Sequence, residues 1–339
     1  MGRAEGVAAA PGETAGSRRR SGLSLIRGGI KPPSWTAPSL EQLTRALDLR
    51  PTGFRRYEAT AAETRWPAFP GAMLAASAVV AAERSLPGFS VGHLSCSFRS
   101  PPRADQPVEV TLSEVHTGEC CVTGRLTFRQ HTAVHGEATV LLRSCASAVT
   151  SGRRAQSARP AGSARPPRPR LAAAPRPVPP ATADAAPGHA GAIAEWELRG
   201  VPDPSHPAAD FRVWSRVPGV RPDGTLQRAL LAYLSELLPI NAARAIRCPG
   251  QPAEAGPLAA VLSHAVTYGA PFDLQDWLLA TVQSAEPGEG YVHALATFST
   301  RQGETVATVS QAANMPQRRR VPFLCPVQQM PTSIRYGSQ

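Results

Sequence analysis

The residue types in this sequence that could do chemistry are few and far apart. Six cysteines stand at Cys96, Cys120, Cys121, Cys145, Cys248 and Cys325, and none makes a C-x-x-C pair. A zinc site needs paired ligands that converge tetrahedrally, so no metal is expected, and reduced thiols in a cytoplasm are the default reading. Cys120 and Cys121 on one strand would point to opposite faces, which argues against a nucleophile there. His264, in the run Leu262-Ser263-His264-Ala265, carries a ring that titrates near neutrality; it reads either as a base or as a histidine packed within a strand.

Basic residues are abundant, and their positions decide what they mean. The chain has 36 Lys and Arg against 25 Asp and Glu, for a formal net charge of +11. Residues 1–31, residues 144–190 and Arg318–Arg320 together hold 16 basic and 3 acidic groups, leaving 20 basic against 22 acidic elsewhere. The remainder is therefore about neutral. Nucleic-acid binding is not expected, because the arginine runs lack the interleaved aromatics on which bases stack. No apolar run reaches the length of about 18 to 20 residues that spans a membrane, and the segment after Arg18-Arg19-Arg20 is broken by Arg27, Lys31, Pro32 and Pro33.

Composition divides the chain into five parts. Residues 1–36 read as a disordered tail, 37–149 as a first folded block, 150–191 as a Pro/Arg/Ala-rich linker, 192–316 as a second block and 317–339 as a tail. The two blocks repeat at an offset of 170 residues. Phe98 and Pro101 fall on Tyr268 and Pro271, Val108-Val110-Leu112 on Leu278-Ala280-Val282, Gly118-Glu119 on Gly288-Glu289, and Thr127-Phe128 on Thr297-Phe298. Each block opens with an apolar helix, about Gly71 to Arg84 and about Thr225 to Leu238. Thr225 is the expected N-cap of the second, whose stripe is Leu226, Leu230, Leu231, Leu234 and Leu238. Alternating strands follow each helix, with Gly118 and Gly288 at hairpin turns. The expected fold is α+β, a double hotdog: two tandem helix-plus-antiparallel-sheet repeats whose sheets join edge to edge into one extended sheet.

Several segments, in order, resemble the type II acyl-CoA thioesterase family. They are Ser39-Leu40-Glu41-Gln42-Leu43, Phe69-Pro70-Gly71-Ala72-Met73-Leu74-Ala75, Asp210-Phe211-Arg212-Val213-Trp214-Ser215-Arg216, Leu262-Ser263-His264-Ala265 through Pro271-Phe272-Asp273-Leu274-Gln275-Asp276-Trp277-Leu278-Leu279, and Val306-Ala307-Thr308-Val309-Ser310-Gln311. The likeness covers about residues 39–149 and 194–315. In that family an aspartate, a hydroxyl residue and a glutamine carry hydrolysis near the interface of the two hotdogs. The resemblance places the aspartate at Ser263, the hydroxyl at Ser284 and the glutamine at Gln311. A carboxylate can orient and deprotonate water while neutral donors hold the thioester carbonyl, so a serine at 263 leaves the base missing. His264 is the nearest substitute, and Glu114, 170 residues before Ser284, is a carboxylate for the pseudo-symmetric pocket. The family's Phe-Gly-Gly-Gln segment is altered here to Phe69-Pro70-Gly71-Ala72.

The resemblance implies an acyl-CoA or acyl-carrier-protein thioester as substrate, no cofactor, and hydrolysis at a diverged site. Two other readings stand beside it: a non-hydrolytic enzyme on the same thioester, of cyclase or dehydratase type in a biosynthetic pathway, and a non-catalytic acyl-binding homologue. No nucleic-acid or membrane partner is expected, and the oligomeric state, a homo-oligomer included, is left open.

Overall fold

Alternation of apolar and polar residues makes the strands, and their pairing makes a single twelve-stranded antiparallel sheet. The computed structural model describes residues 38–62, 68–118, 121–144, 193–201, 210–247, 260–288 and 290–314. The expected tails 1–36 and 317–339 and the linker 150–191 lie outside the described residues, as do Cys120, Cys145, Cys248 and Cys325.

The first half of the chain supplies α1 (Leu40–Ala46), β1 (Arg50–Gly53), β2 (Arg56–Ala59), α2 (Gly71–Ser85), β3 (Phe89–Phe98), β4 (Val108–Thr117), β5 (Cys121–Gln130) and β6 (Ala133–Ser144). The second supplies β7 (Glu197–Gly200), β8 (Asp210–Arg216), α3 (Gly224–Arg247), β9 (Ala260–Tyr268), β10 (Leu278–Gly288), β11 (Tyr291–Ser299) and β12 (Thr305–Asn314). The strand order is β1-β2-β4-β5-β6-β3-β9-β12-β11-β10-β8-β7. Read outward from the central β3–β9 pair, the two halves have the same order. This is the double hotdog that the repeat implies.

The sheet buries one face against both long helices. In α2 every residue from Ala72 to Glu83 is buried, as befits a helix that is apolar all round, and its many alanines let α3 approach closely. One continuous core runs through both halves, from Leu43 and Met73 to Leu230 and Phe298.

Two local features depart from the sequence expectation. The N-cap of α3 is Asp223, whose Oδ1 accepts from the backbone N–H groups of Thr225 (2.8 Å) and Leu226 (3.3 Å). Thr225 is not the cap; its hydroxyl donates to Glu83 of α2 at 2.6 Å. The helix also continues to Arg247, past Pro239, instead of ending at Leu238.

Candidate functional site

Register across the sheet fixes which side chains share the helix-facing surface. Directly opposed residues of an antiparallel pair project to the same side. Cys96 opposes His264, His264 opposes Gln311, Gln311 opposes Ala294 and Ala294 opposes Ser284. These five form one row running from β3 to β10. Its direction is set by two contacts to α3: His264 Nε2 lies 3.3 Å from Ser235 Oγ, and Gln311 Nε2 donates to the main-chain oxygen of Glu236 at 2.6 Å.

That row separates the residues marked by the sequence. Gln311 and His264 are adjacent, fully buried and on the helix side. Ser284 shares their face, two strands from Gln311 and so about 10 Å across the sheet. Ser263 does not share it. It opposes Ala312 and the exposed Ser97, on the other face of β9 from His264, because successive strand residues alternate. Glu114 is also outside the interior: it is exposed and makes an ion pair with Arg125 at 3.3 Å.

A carboxylate does reach the interior, from α3 and not from the sheet. Glu236 lies on α3, buried to 5 % exposure among leucines. Among the described residues its carboxylate has no hydrogen-bond partner, and burial pushes its pKa up to about 7. Its Oε1 rests against the first residue of α2, where a Cβ built on Gly71 would stand 2.8 Å away. Glycine is what lets the acid approach this closely. Of the leading α2 amides, those of Met73 and Leu74 donate to Pro70 O, while those of Gly71 and Ala72 have no intrahelical acceptor and no side-chain cap. Burial, and secondarily the charge of Glu236, pushes up both the Cys96 thiol and the Tyr233 phenol, placing these groups in the same electrostatic neighbourhood.

The polar groups around Glu236 have defined roles. Gln311 uses its amide nitrogen on the Glu236 carbonyl, which fixes the amide orientation and leaves Oε1 as a buried acceptor with no partner among the described residues. Ser235 Oγ donates to Ala232 O at 3.1 Å, so the His264 ring donates from Nε2 and carries its lone pair on Nδ1, also buried and unpartnered. Burial pushes His264 down to about 3, which keeps the ring neutral near pH 7 and makes it a weak base. The arrangement offers one ionisable acid poised near neutrality, two neutral acceptors and a helix N-terminus. Such a set can hold a water by its protons, remove one, and stabilise an oxyanion.

Comparison with known proteins agrees with the fold. Residues 170–315 match the family model described as acyl-CoA thioesterase C-terminal domain. Among solved structures, a tesB protein from Mycobacterium avium subsp. paratuberculosis superposes with a TM-score of 0.63 at 23% identity, covering 82% of this chain and 100% of that one. The acyl-CoA thioesterase II TesB2 of Mycobacterium marinum gives 0.61 at 23% identity, covering 80% and 97%. A hot dog fold protein of unknown function from Alicyclobacillus acidocaldarius gives 0.57 at 20% identity, covering 81% and 98%. No curated protein matches by sequence. Among the described residues no helix is long and apolar enough to cross a membrane.

Proposed function

We propose that the chain is an acyl-thioester hydrolase of the acyl-CoA thioesterase family, acting in the cytoplasm on acyl-CoA or acyl-carrier thioesters, with Glu236 as its general base. The observation that carries this reading is the buried, unpaired Glu236 carboxylate at the N-terminus of α2, on a residue whose main-chain oxygen is held by Gln311. Water donates one proton toward Gln311 Oε1 and gives the other to Glu236 as its oxygen attacks the thioester carbonyl. Negative charge collects on the carbonyl oxygen, where the leading amides of α2 can receive it. Collapse of the tetrahedral species expels the thiolate, which takes the proton back from Glu236. His264 serves as a neutral hydrogen-bonding group beside Gln311, and Ser284 contributes farther along the same face, toward the bound acyl group. The non-hydrolytic and non-catalytic alternatives draw on a missing carboxylate, and Glu236 supplies one.

The test is release of free thiol from acyl-CoA substrates of several chain lengths. Glu236→Gln is expected to lower kcat by roughly 10²-fold or more, the worth of a positioned base, with the fold retained. Wild-type turnover in this variant removes Glu236 from the chemistry. Conversion of the acyl group without thiol release, seen by mass spectrometry of the coenzyme A product, would favour the cyclase or dehydratase type of reaction.

A further inference from the structure

A proline inside a helix removes a donor and crowds the carbonyl four residues earlier, bending the helix and opening its hydrogen-bond ladder. Pro239 stands inside α3, one turn after Ser235 and Glu236. It has no N–H for the Ser235 carbonyl. The next two carbonyls are held by side chains: Glu236 O accepts from Gln311 Nε2 at 2.6 Å, and Leu237 O accepts from Asn241 Nδ2 at 2.8 Å. In an undisturbed helix carbonyls point along the axis toward backbone donors. Here the carbonyl of Glu236 reaches a side chain on β12.

We infer that Pro239 is a positioning residue: by opening the α3 turn it presents the Glu236 carbonyl to Gln311, which locks the glutamine with its Oε1 free and holds the turn that bears the Glu236 side chain. The inference rests on the reading of Glu236 and Gln311 as the hydrolytic pair. It accounts for an interior proline, which makes a helix less stable than alanine would. It also accounts for the continuation of α3 to Arg247, since a proline serving only as a stop would end the helix.

The experiment compares wild type, Pro239→Ala, Pro239→Ser, Gln311→Ala and the Pro239→Ala/Gln311→Ala double variant in the full chain, by thiol release and by thermal melting. Restoring the N–H lets the turn close, so both Pro239 variants are expected to melt at or above the wild-type temperature. Their kcat is expected to fall tenfold or more, with KM changed less than threefold. A residue that only supports the fold would lower the melting temperature instead. The double variant is expected to be no slower than Gln311→Ala, because both changes break one link. Losses that multiply in the double variant overturn the inference, as does a kcat within twofold of wild type for either Pro239 variant while Gln311→Ala is impaired. If Gln311→Ala and Glu236→Gln both keep wild-type turnover, it is the hydrolytic reading that fails.

Discussion

Glu83 of α2 and Glu236 of α3 occupy equivalent positions in the two repeats, each twelve residues after the glycine that opens its helix. Their surroundings are opposite. Glu83 accepts from Arg228 Nε and Nη2 at 2.6 and 2.7 Å, from the Thr225 hydroxyl at 2.6 Å and from the Val91 amide at 2.8 Å. The positions in α2 that correspond to Arg228 and Thr225 are Ala75 and Ala72, which can neither pair with Glu236 nor cap it. The sheet shows the same division: His264 opposes Gln311 across β9 and β12, whereas Leu94 opposes Val140 across β3 and β6. One copy of the duplicated site is thus an ion-paired clamp between helices, and the other keeps its acid unpaired.

The clamp should be a stability element. Arg228→Ala strands a buried Glu83 carboxylate, and loss of one partner of a buried pair costs about 3–5 kcal/mol. Arg228→Ala/Glu83→Gln should recover a good part of that loss, since the uncompensated charge is gone. Urea unfolding of the two variants checks this. A double variant no more stable than the single one would mean that packing, rather than charge, holds the helices together.

Glu236 should leave a signature in the pH dependence of stability. Burial raises its pKa from an ordinary 4.5 to about 7, so between these values the folded chain holds a proton that the unfolded chain has released. Its contribution is most favourable below 4.5, declines as pH rises through the window, and is level above about 7. Glu236→Gln should therefore match the wild type near pH 4 and exceed it by roughly 3 kcal/mol at pH 8. The buried His264 is common to both proteins, so its opposing loss of stability in acid cancels in the comparison. Melting curves that stay parallel from pH 4 to 8 would contradict the raised pKa.

Much of the architecture could be read from pattern, because the sheet obeys a period of two and the helices are unusually apolar. The offset between Phe98 and Tyr268, and between Val108 and Leu278, marks the same strand ends in both halves. The acid was not legible by the same route. The resemblance directed attention to a strand, at Ser263, whereas Glu236 interrupts the leucine stripe of α3 between Leu234 and Leu238 and looks there like a solvent-facing turn. A usable signal existed: an acidic residue in an otherwise buried stripe, with a counterpart at Glu83 in the alanine-rich α2. The expected end of the helix at Leu238 also fell short, one residue before a proline that α3 accommodates on its way to Arg247.

Placement of Ser263 turns the obvious gain-of-function substitution into a control. With the side chain on the face of β9 opposite His264 and Gln311, Ser263→Asp puts its carboxylate away from the row that meets α3. Thiol release should stay within twofold of wild type. A tenfold increase would show that a carboxylate at 263 can reach the thioester, and would return the base to the strand.

Gly71 offers the most direct probe of the geometry, because its missing Cβ makes the space in which Glu236 ends. Gly71→Ala places a methyl 2.8 Å from Oε1, inside van der Waals contact, so the carboxylate must turn away from the α2 amides. Only the far end of a flexible side chain has to move, and alanine is a better helix former than glycine, so the melting temperature should change little or rise. Turnover depends on where the carboxylate points, and a displacement of about 1 Å can cost up to 10²-fold. The expected result is a kcat at least tenfold below wild type with folding intact. Gly71→Ala in a Glu236→Gln background should add nothing further to that loss, since the group it displaces is no longer a base. An equal additional loss in that background would assign the effect to the α2 amides themselves.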